Sequence, residues 1–177
     1  MAEKVLFKSS HSNYYLFLLN PVFMEIRPLS DTDIPKMWEI NEQGLPGTGK
    51  VDENGLKELL EYSEIAVGTF DDKELRGYVI CLPPATKYGS LNYGWFNSNM
   101  EDFLYVDRIA VESSYRDQGI GSLLYSHIID YTSKSIAAEV SLDPPNLASM
   151  RFHHRFDFKK IGELHHESYS VNLMLRD

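Results

Sequence analysis

Residues 103–131 read FLYVDRIAVESSYRDQGIGSLLYSHIIDY, and the rest of the chain is organised around them. Residues 103–111 are an apolar run that reads as a strand. A polar link over 112–118 leads to Gly119-Ile120-Gly121. After it Leu123, Leu124, Ile128 and Tyr131 recur with Ile120 at helical spacing. The first N–H groups of a helix have no partner inside it, and the macrodipole adds partial positive charge there. Glycines at 119 and 121 remove the Cβ atoms that would hold a ligand away. Such a turn can cradle phosphate, with each charge–dipole contact contributing roughly 0.3–1 kcal/mol. For a bare Gly-x-Gly, an ordinary strand-to-helix turn is the alternative.

Two nucleotide motifs fail here. A dinucleotide-binding turn needs a third Gly or Ala, and position 124 is Leu; a P-loop needs Lys-Ser/Thr after its last Gly, and Gly121 precedes Ser122-Leu123. Residues 44–50, GLPGTGK, come nearer to a P-loop, but Val51 stands where a magnesium-binding hydroxyl is needed. That run also follows an expected helix instead of a strand, so it reads as a flexible loop. The stretch does match R/Q-x-x-G-x-G/A, as Arg116-Asp117-Gln118-Gly119-Ile120-Gly121, with Ile109-Ala110-Val111 just before it. It resembles the acetyl-CoA-binding motif of the GNAT superfamily of N-acetyltransferases.

The flanking elements follow in a consistent order. Residues 24–29 read as a strand. Ser30 or Asp31 can cap a helix carrying Ile34, Met37, Trp38 and Ile40. A second helix begins at Asp52 or Glu53 and carries Leu56, Leu59 and Leu60. Residues 64–70 and 75–82 make a hairpin around Asp71-Asp72-Lys73-Glu74, closed by Pro83-Pro84. Residues 83–101 read as a long loop whose Tyr88, Tyr93, Trp95 and Phe96 pin it to the core, wall an acceptor pocket, or both. Beyond the central helix, Ile136, Ala138, Val140 and Leu142 alternate with Ala137, Glu139 and Ser141, a half-buried strand. Residues 146–155 read as a helix, and 158–164 and 169–175 as a closing strand pair. This matches the GNAT order over 24–177. The expected fold is α/β (α+β), a mixed and mostly antiparallel central sheet flanked by helices, with splayed central strands. Residues 1–23 read as an N-terminal extension to a single domain over 24–177. Their apolar 14–19 segment is a strand or flap and a candidate interface for a homodimer, and no cleavage site follows it as in a signal peptide.

Composition narrows the function class. The chain has 177 residues, 43% hydrophobic, enough for one domain with a real core. A net charge of −9 argues against non-specific nucleic-acid binding and mildly favours a cationic acceptor. Cys81 is the single cysteine, so no internal disulfide forms and a reducing cytoplasm suits the chain. It sits in an apolar run and reads as a small buried hydrophobe. No apolar run approaches the ~18 residues of a membrane span.

The resemblance implies a reaction and a site. Acetyl-CoA is the co-substrate, and the acetyl group passes to a primary amine by direct attack in a ternary complex. The amine is a small molecule or a peptide terminus. The alternatives are a non-catalytic acyl-CoA-binding module and an N-terminal protein acetyltransferase. By resemblance, backbone groups of Ile109, Ala110 and Val111 bind the pantetheine arm. The turn of Arg116, Asp117, Gln118, Gly119, Ile120, Gly121 and Ser122 takes the pyrophosphate. A family pattern N-x-x-A/S-x-x-F-Y-x-x-x-G-F continues as Asn146, Ser149, Phe152, His153, Asp157 and Phe158, with His in place of Tyr and Asp in place of Gly. Asn146, Ser149 and Phe152 are then cofactor contacts, and His153 stands where the Tyr faces the sulfur. With an ordinary pKa of ~6.5, a histidine there can serve as the acid. Asp107 is the first base candidate, sharing strand parity with Ile109 and Val111, against the alternative of a structural ion pair. Tyr105 on the same face could hold a water relay. Glu42, Tyr93 and Trp95 are expected at the acceptor. No metal set is legible, since His165-His166 lacks further ligands.

Overall fold

The computed structural model describes residues 4–5, 15–19 and 22–177, with side chains from Met24 onward. Among these residues nine strands make one sheet: β1 (Lys4–Val5), β2 (Tyr15–Leu19), β3 (Val22–Pro28), β4 (Ile65–Asp71), β5 (Glu74–Leu82), β6 (Phe103–Val111), β7 (Ser135–Asp143), β8 (Lys159–His165) and β9 (Ser170–Arg176). Their spatial order is β1-β2-β3-β4-β5-β6-β7-β9-β8, and only the β6–β7 pair is parallel. The apolar segment before β3 is therefore a strand, β2, paired antiparallel with β3.

Among the described residues five α-helices flank the sheet: α1 (Ile34–Glu42), α2 (Glu53–Tyr62), α3 (Leu91–Asn99), α4 (Ile120–Tyr131) and α5 (Leu147–Arg155). Each face of the sheet has its own core. Ile120, Leu123, Leu124, Tyr125 and Ile128 of α4 pack on Val79, Cys81, Leu104, Val106, Ala138 and Val140. On the other face, Met37 and Ile40 of α1, Leu56 and Leu59 of α2, and Tyr93 and Phe96 of α3 pack on Tyr78, Ile80, Leu82, Phe103 and Tyr105.

Helix α3 occupies what reads in the sequence as an unstructured loop. Ser90 caps it, its hydroxyl accepting from the Tyr93 amide, and Asn92, Tyr93 and Phe96 are its buried positions. Gly94 and four asparagines and serines between 92 and 99 have low helix propensity. Burial of the two aromatics supplies what local preference lacks.

Two irregularities in β6 shape the centre of the molecule. Antiparallel pairing with β5 runs Ile80 to Arg108 but Cys81 to Val106, so Asp107 is an extra, bulged residue. A bulge shifts side-chain parity by one residue. Tyr105 accordingly faces the α1–α3 core, whereas Ile109 and Val111 lie against the α4 core. This corrects the expectation that Tyr105, Asp107, Ile109 and Val111 share a face. The second irregularity is that β6 meets β7 only at Phe103, Leu104 and Tyr105, opposite Ser135, Ile136 and Ala137. Beyond Tyr105 the strands diverge and leave a wedge.

Candidate active site

The wedge opens on two cavities. One, of about 450 Å³, is lined by Ile109, Ala110, Val111, Arg116, Asp117, Gly119, Ile120, Gly121, Ser122, Asn146, Ser149 and Phe152 among others. The other, of about 640 Å³, is lined by Asp107, Arg108, Tyr88, Ser90, Asn92, Glu139, His153 and Tyr169 among others. Gly47, Thr48, Ile109 and Ser149 line both, so the cavities adjoin along the wedge.

The first cavity is built from backbone. Glu112 N–H bonds the Arg76 carbonyl, and the Ala110 carbonyl points at Gly77, so these even positions face β5. Alternation turns the N–H groups of Ile109 and Val111 toward the wedge, where β7 no longer pairs with them. At the α4 N-terminus Gly119 takes φ 88°, a left-handed conformation that favours glycine. No side chain caps this helix, so its first N–H groups stay open to the cavity. At Gly121 a Cβ would stand 3.3 Å from the Phe152 ring, so glycine lets α4 and α5 approach. Arg116 is committed locally: its guanidinium donates to the Gln43 carbonyl at 2.6 Å and the Val111 carbonyl at 3.2 Å, tying this turn to the end of α1. Gln118 donates to the Ser114 carbonyl and is not among the lining residues.

Asn146 caps α5, its Oδ1 accepting from the Ser149 amide, and its Nδ2 lies close to Gly47. The 44–50 segment thus crosses over the wedge. Asn41 holds it there, donating to the Gly49 carbonyl and accepting from Thr48 through its own carbonyl.

The second cavity carries the ionisable groups. Asp107, on its bulge, receives the Arg108 Nε–H at 2.7 Å, with both side chains under one-tenth exposed. The guanidinium also donates to Asn41 Oδ1 at 3.0 Å. Asp107 therefore sits in an ion pair, the alternative raised for it from the sequence. Facing it across the wedge, Glu139 of β7 accepts from Tyr105 Oη–H at 2.6 Å and from Asn92 Nδ2 at 3.3 Å. Burial raises its carboxyl, the Tyr105 hydrogen bond lowers it, the Asp107 charge raises it again, and the Asn92 bond lowers it, leaving it at about 7. No cation pairs with Glu139 among the described residues. A carboxylate poised near neutrality in a cavity can take a proton from an arriving ammonium.

His153 is 3% exposed and lies among Tyr125, Phe152 and Phe158. Its Nδ1 is 2.8 Å from the Ser149 carbonyl, which can only accept, so Nδ1 carries the proton. Nε2 then accepts from the Tyr125 hydroxyl at 2.7 Å. Burial pushes its pKa down to about 4 against the pull of the Ser149 carbonyl. The imidazole is thus neutral near pH 7 with both nitrogens engaged, unlike the freely titrating histidine expected there.

Three expected acceptor residues lie elsewhere. Tyr93 is 1% exposed and packs against Phe103 and Tyr105, with its hydroxyl donating to the Pro83 carbonyl. Trp95 stacks edge-on against Phe96 in the same core, and neither aromatic lines the cavity. Glu42 also stays out of the lining, its Oε1 buried without a partner, while its neighbour Asn41 turns inward to Arg108. Within 83–101, Tyr88, Ser90 and Asn92 form the wall instead. Glu139 escapes sequence reading because it alternates with apolar residues like any solvent-side position. The available signal was Ala137, two residues away on that face, too apolar for an exposed row.

Cys81 is buried and its thiol is raised well above the ordinary range, chiefly by desolvation. No helix among the described residues is long and apolar enough to cross a membrane. No group of three or more potential metal ligands occurs among the described residues.

A sequence profile of the acetyltransferase (GNAT) family matches residues 33–158. No curated protein sequence matches the chain. Among solved structures it is similar to Ard1 from Thermoplasma volcanium, at 18% identity and TM-score 0.68, covering 86% of this chain and 96% of that one. NAA60 of Arabidopsis thaliana in complex with acetyl-CoA superposes at 17% identity and TM-score 0.69, over 86% and 97%. The ribosomal-protein-S18-alanine N-acetyltransferase of Escherichia coli does so at 16% and 0.66, over 86% and 92%. At these identities the likenesses speak for the fold.

Proposed function

The chain belongs to the GNAT acetyltransferase family, and from that premise we propose that it transfers an acetyl group from acetyl-CoA to a primary amine in a ternary complex. The observation that carries the reading is the wedge itself, with an anion-accepting helix start in one cavity and a carboxylate poised near neutrality in the other. The pyrophosphate would lie on the amides of residues 117–122, the pantetheine along Ile109 and Val111, and the thioester at the junction of the cavities. The same proposal treats 24–177 as the catalytic unit and 1–23 as an N-terminal extension.

Glu139 is the base in this reading. A Lys-like ammonium has a pKa near ~10.4, and neutralising it in water at pH 7 costs roughly 4–5 kcal/mol. Glu139 takes that proton within the cavity, the amine nitrogen bonds the acetyl carbon, and the carbon–sulfur bond breaks. A wedge-facing N–H of β6 meets the carbonyl oxygen as it gains charge. A thiol has an ordinary pKa of ~8.5, so CoA can leave as the thiolate and then take up the second proton, the one the nitrogen sheds as it becomes an amide. His153 then needs no proton to give, which accords with its neutral, fully bonded state. Direct attack is also favoured by the absence of a usable thiol, since Cys81 is closed in the core.

The test is thiol release from acetyl-CoA against a panel of amines. Turnover with any of them, lost in Glu139→Gln, supports the reading; binding of acetyl-CoA without turnover on any amine would leave a non-catalytic acyl-CoA module. A second reading, a peptide or protein N-terminus as acceptor, is motivated by the NAA60 and S18-alanine enzymes among the structural neighbours. Peptides belong in the same panel.

A further inference from the structure

Asn92 and His166 form a line that starts at the surface and ends on Glu139. His166, in the turn between β8 and β9, places Nε2 2.8 Å from Asn92 Oδ1. Asn92 Nδ2 lies 3.3 Å from Glu139 Oε1. The amide orientation is set by its neighbours: Nδ2 must face the carboxylate, because Oδ1 there would oppose a second acceptor. The carbonyl end is then free to accept from His166 Nε2–H. The turn is itself braced, with His166 stacked on Tyr169 at 4.3 Å and its N–H bonded to the Tyr169 carbonyl. Asn92 is 7% exposed and sits in the first turn of α3.

The geometry points to Asn92 as a positioning residue for Glu139, held in turn by His166, so that the β8–β9 turn tunes the base through the amide of α3. This rests on Glu139 being the base proposed above. Donation from Asn92 fixes one carboxylate oxygen while Tyr105 fixes the other. The lone pairs left over face the cavity, where an amine can meet them.

The groups acting on Glu139 come from every element around it. From β6 they are Tyr105 and Asp107, the latter paired with Arg108. Tyr88 lies on the link before α3 and Tyr125 on α4, and His153 on α5, Lys50 on the 44–50 segment and Tyr169 just before β9 line the same cavity. Tyr105, Tyr88 and Tyr125 have their hydroxyls raised by burial and stay neutral. Asn92 is thus the side-chain amide donor to the carboxylate, beside the backbone N–H of Glu139 itself, and it is removable without altering any charge.

The experiment is a carboxyl ¹³C titration of the ligand-free protein labelled in glutamate, with Glu139 assigned from its missing signal in Glu139→Gln. Asn92→Leu keeps the side-chain size and removes the donor. The Glu139 titration is expected to move upward by about half a pH unit or more, as follows from losing a hydrogen bond to the charged form. His166→Phe, on the turn and still able to stack on Tyr169, should move it upward by less. A titration unchanged in both variants overturns the proposal, and if Asn92→Leu does not fold, an unchanged His166→Phe alone does so. The parent reading fails separately, through acetyl transfer that is undiminished in Glu139→Gln.

Discussion

Replacing Glu139 by Gln should slow acetyl transfer sharply and at the same time stabilise the fold, increasingly so as pH rises. The Glu139 carboxyl is raised from its ordinary 4.5 to about 7. A folded-state pKa above the unfolded value means stability that is fully present below pH ~4.5 and lost as pH climbs through about 7. At about 1.36 kcal/mol per pKa unit, the loss reaches about 3 kcal/mol. Part of the carboxylate faces the cavity, and water there trims the figure to about 2 kcal/mol. The parent protein alone hides this effect. His153 is depressed to about 4, so its contribution is present above pH ~6.5 and lost as pH falls through 4, the opposite trend over nearly the same window. The difference between variant and parent isolates Glu139. Urea unfolding of both at several pH values from about 4 to about 8 should show the variant gaining about 2 kcal/mol on the parent across that range. Loss of a general base should lower the rate of thiol release about 10²–10⁴-fold. A stability difference that stays flat with pH would refute the raised carboxyl, and with it the argument for the base.

Three further outcomes follow from the site. Gly119→Glu puts a Cβ on a left-handed residue and a negative charge at the open helix start, so acetyl-CoA affinity should fall at least about a hundredfold by calorimetry, on the order of 3 kcal/mol; unchanged affinity would remove this turn from the phosphate site. His153→Ala leaves a hole among three aromatic rings and strips the acceptor from the buried Tyr125 hydroxyl, costing about 2–4 kcal/mol of stability and lowering the urea midpoint. An unshifted midpoint would contradict the packing described. Asp107→Asn leaves the Arg108 guanidinium buried without its counter-charge and should destabilise by about 3–5 kcal/mol, whereas a loss below about 1 kcal/mol would show the pair to be solvated.

What could be read from the sequence was local, and what could not depended on partners. Gly119 and the helix after it announce themselves because a left-handed residue followed by an uncapped helix start is a property of neighbouring residues. The hairpin of β4 and β5 and the alternation of β7 are equally local. The bulge at Asp107 is not, because it exists only in the register between β5 and β6. Parity counted along residues 105–111 therefore put Tyr105 on the wrong face. Helix α3 was hidden by its Gly and Asn content, and the one local cue was Ser90 placed to cap Tyr93. Glu139 looked solvent-facing because alternation tells apart two faces but not what covers them. His153 looked titratable because its Tyr125 partner lies 28 residues away on another helix.

Three residue pairs are all that stitch β6 to β7 in the sheet. On one side of that seam lie β1 to β6, and on the other β7, β9 and β8. Backbone amides lining the gap, at Ile109 and Val111, should swap their hydrogens for deuterium far sooner than the same strand's amides directed at β5. An elongated molecule with its own amide groups, threaded through the gap, would act as a borrowed strand and slow that swap on both banks together. Loading the protein would then be felt as a single stiffer sheet instead of two leaves sharing a short hinge.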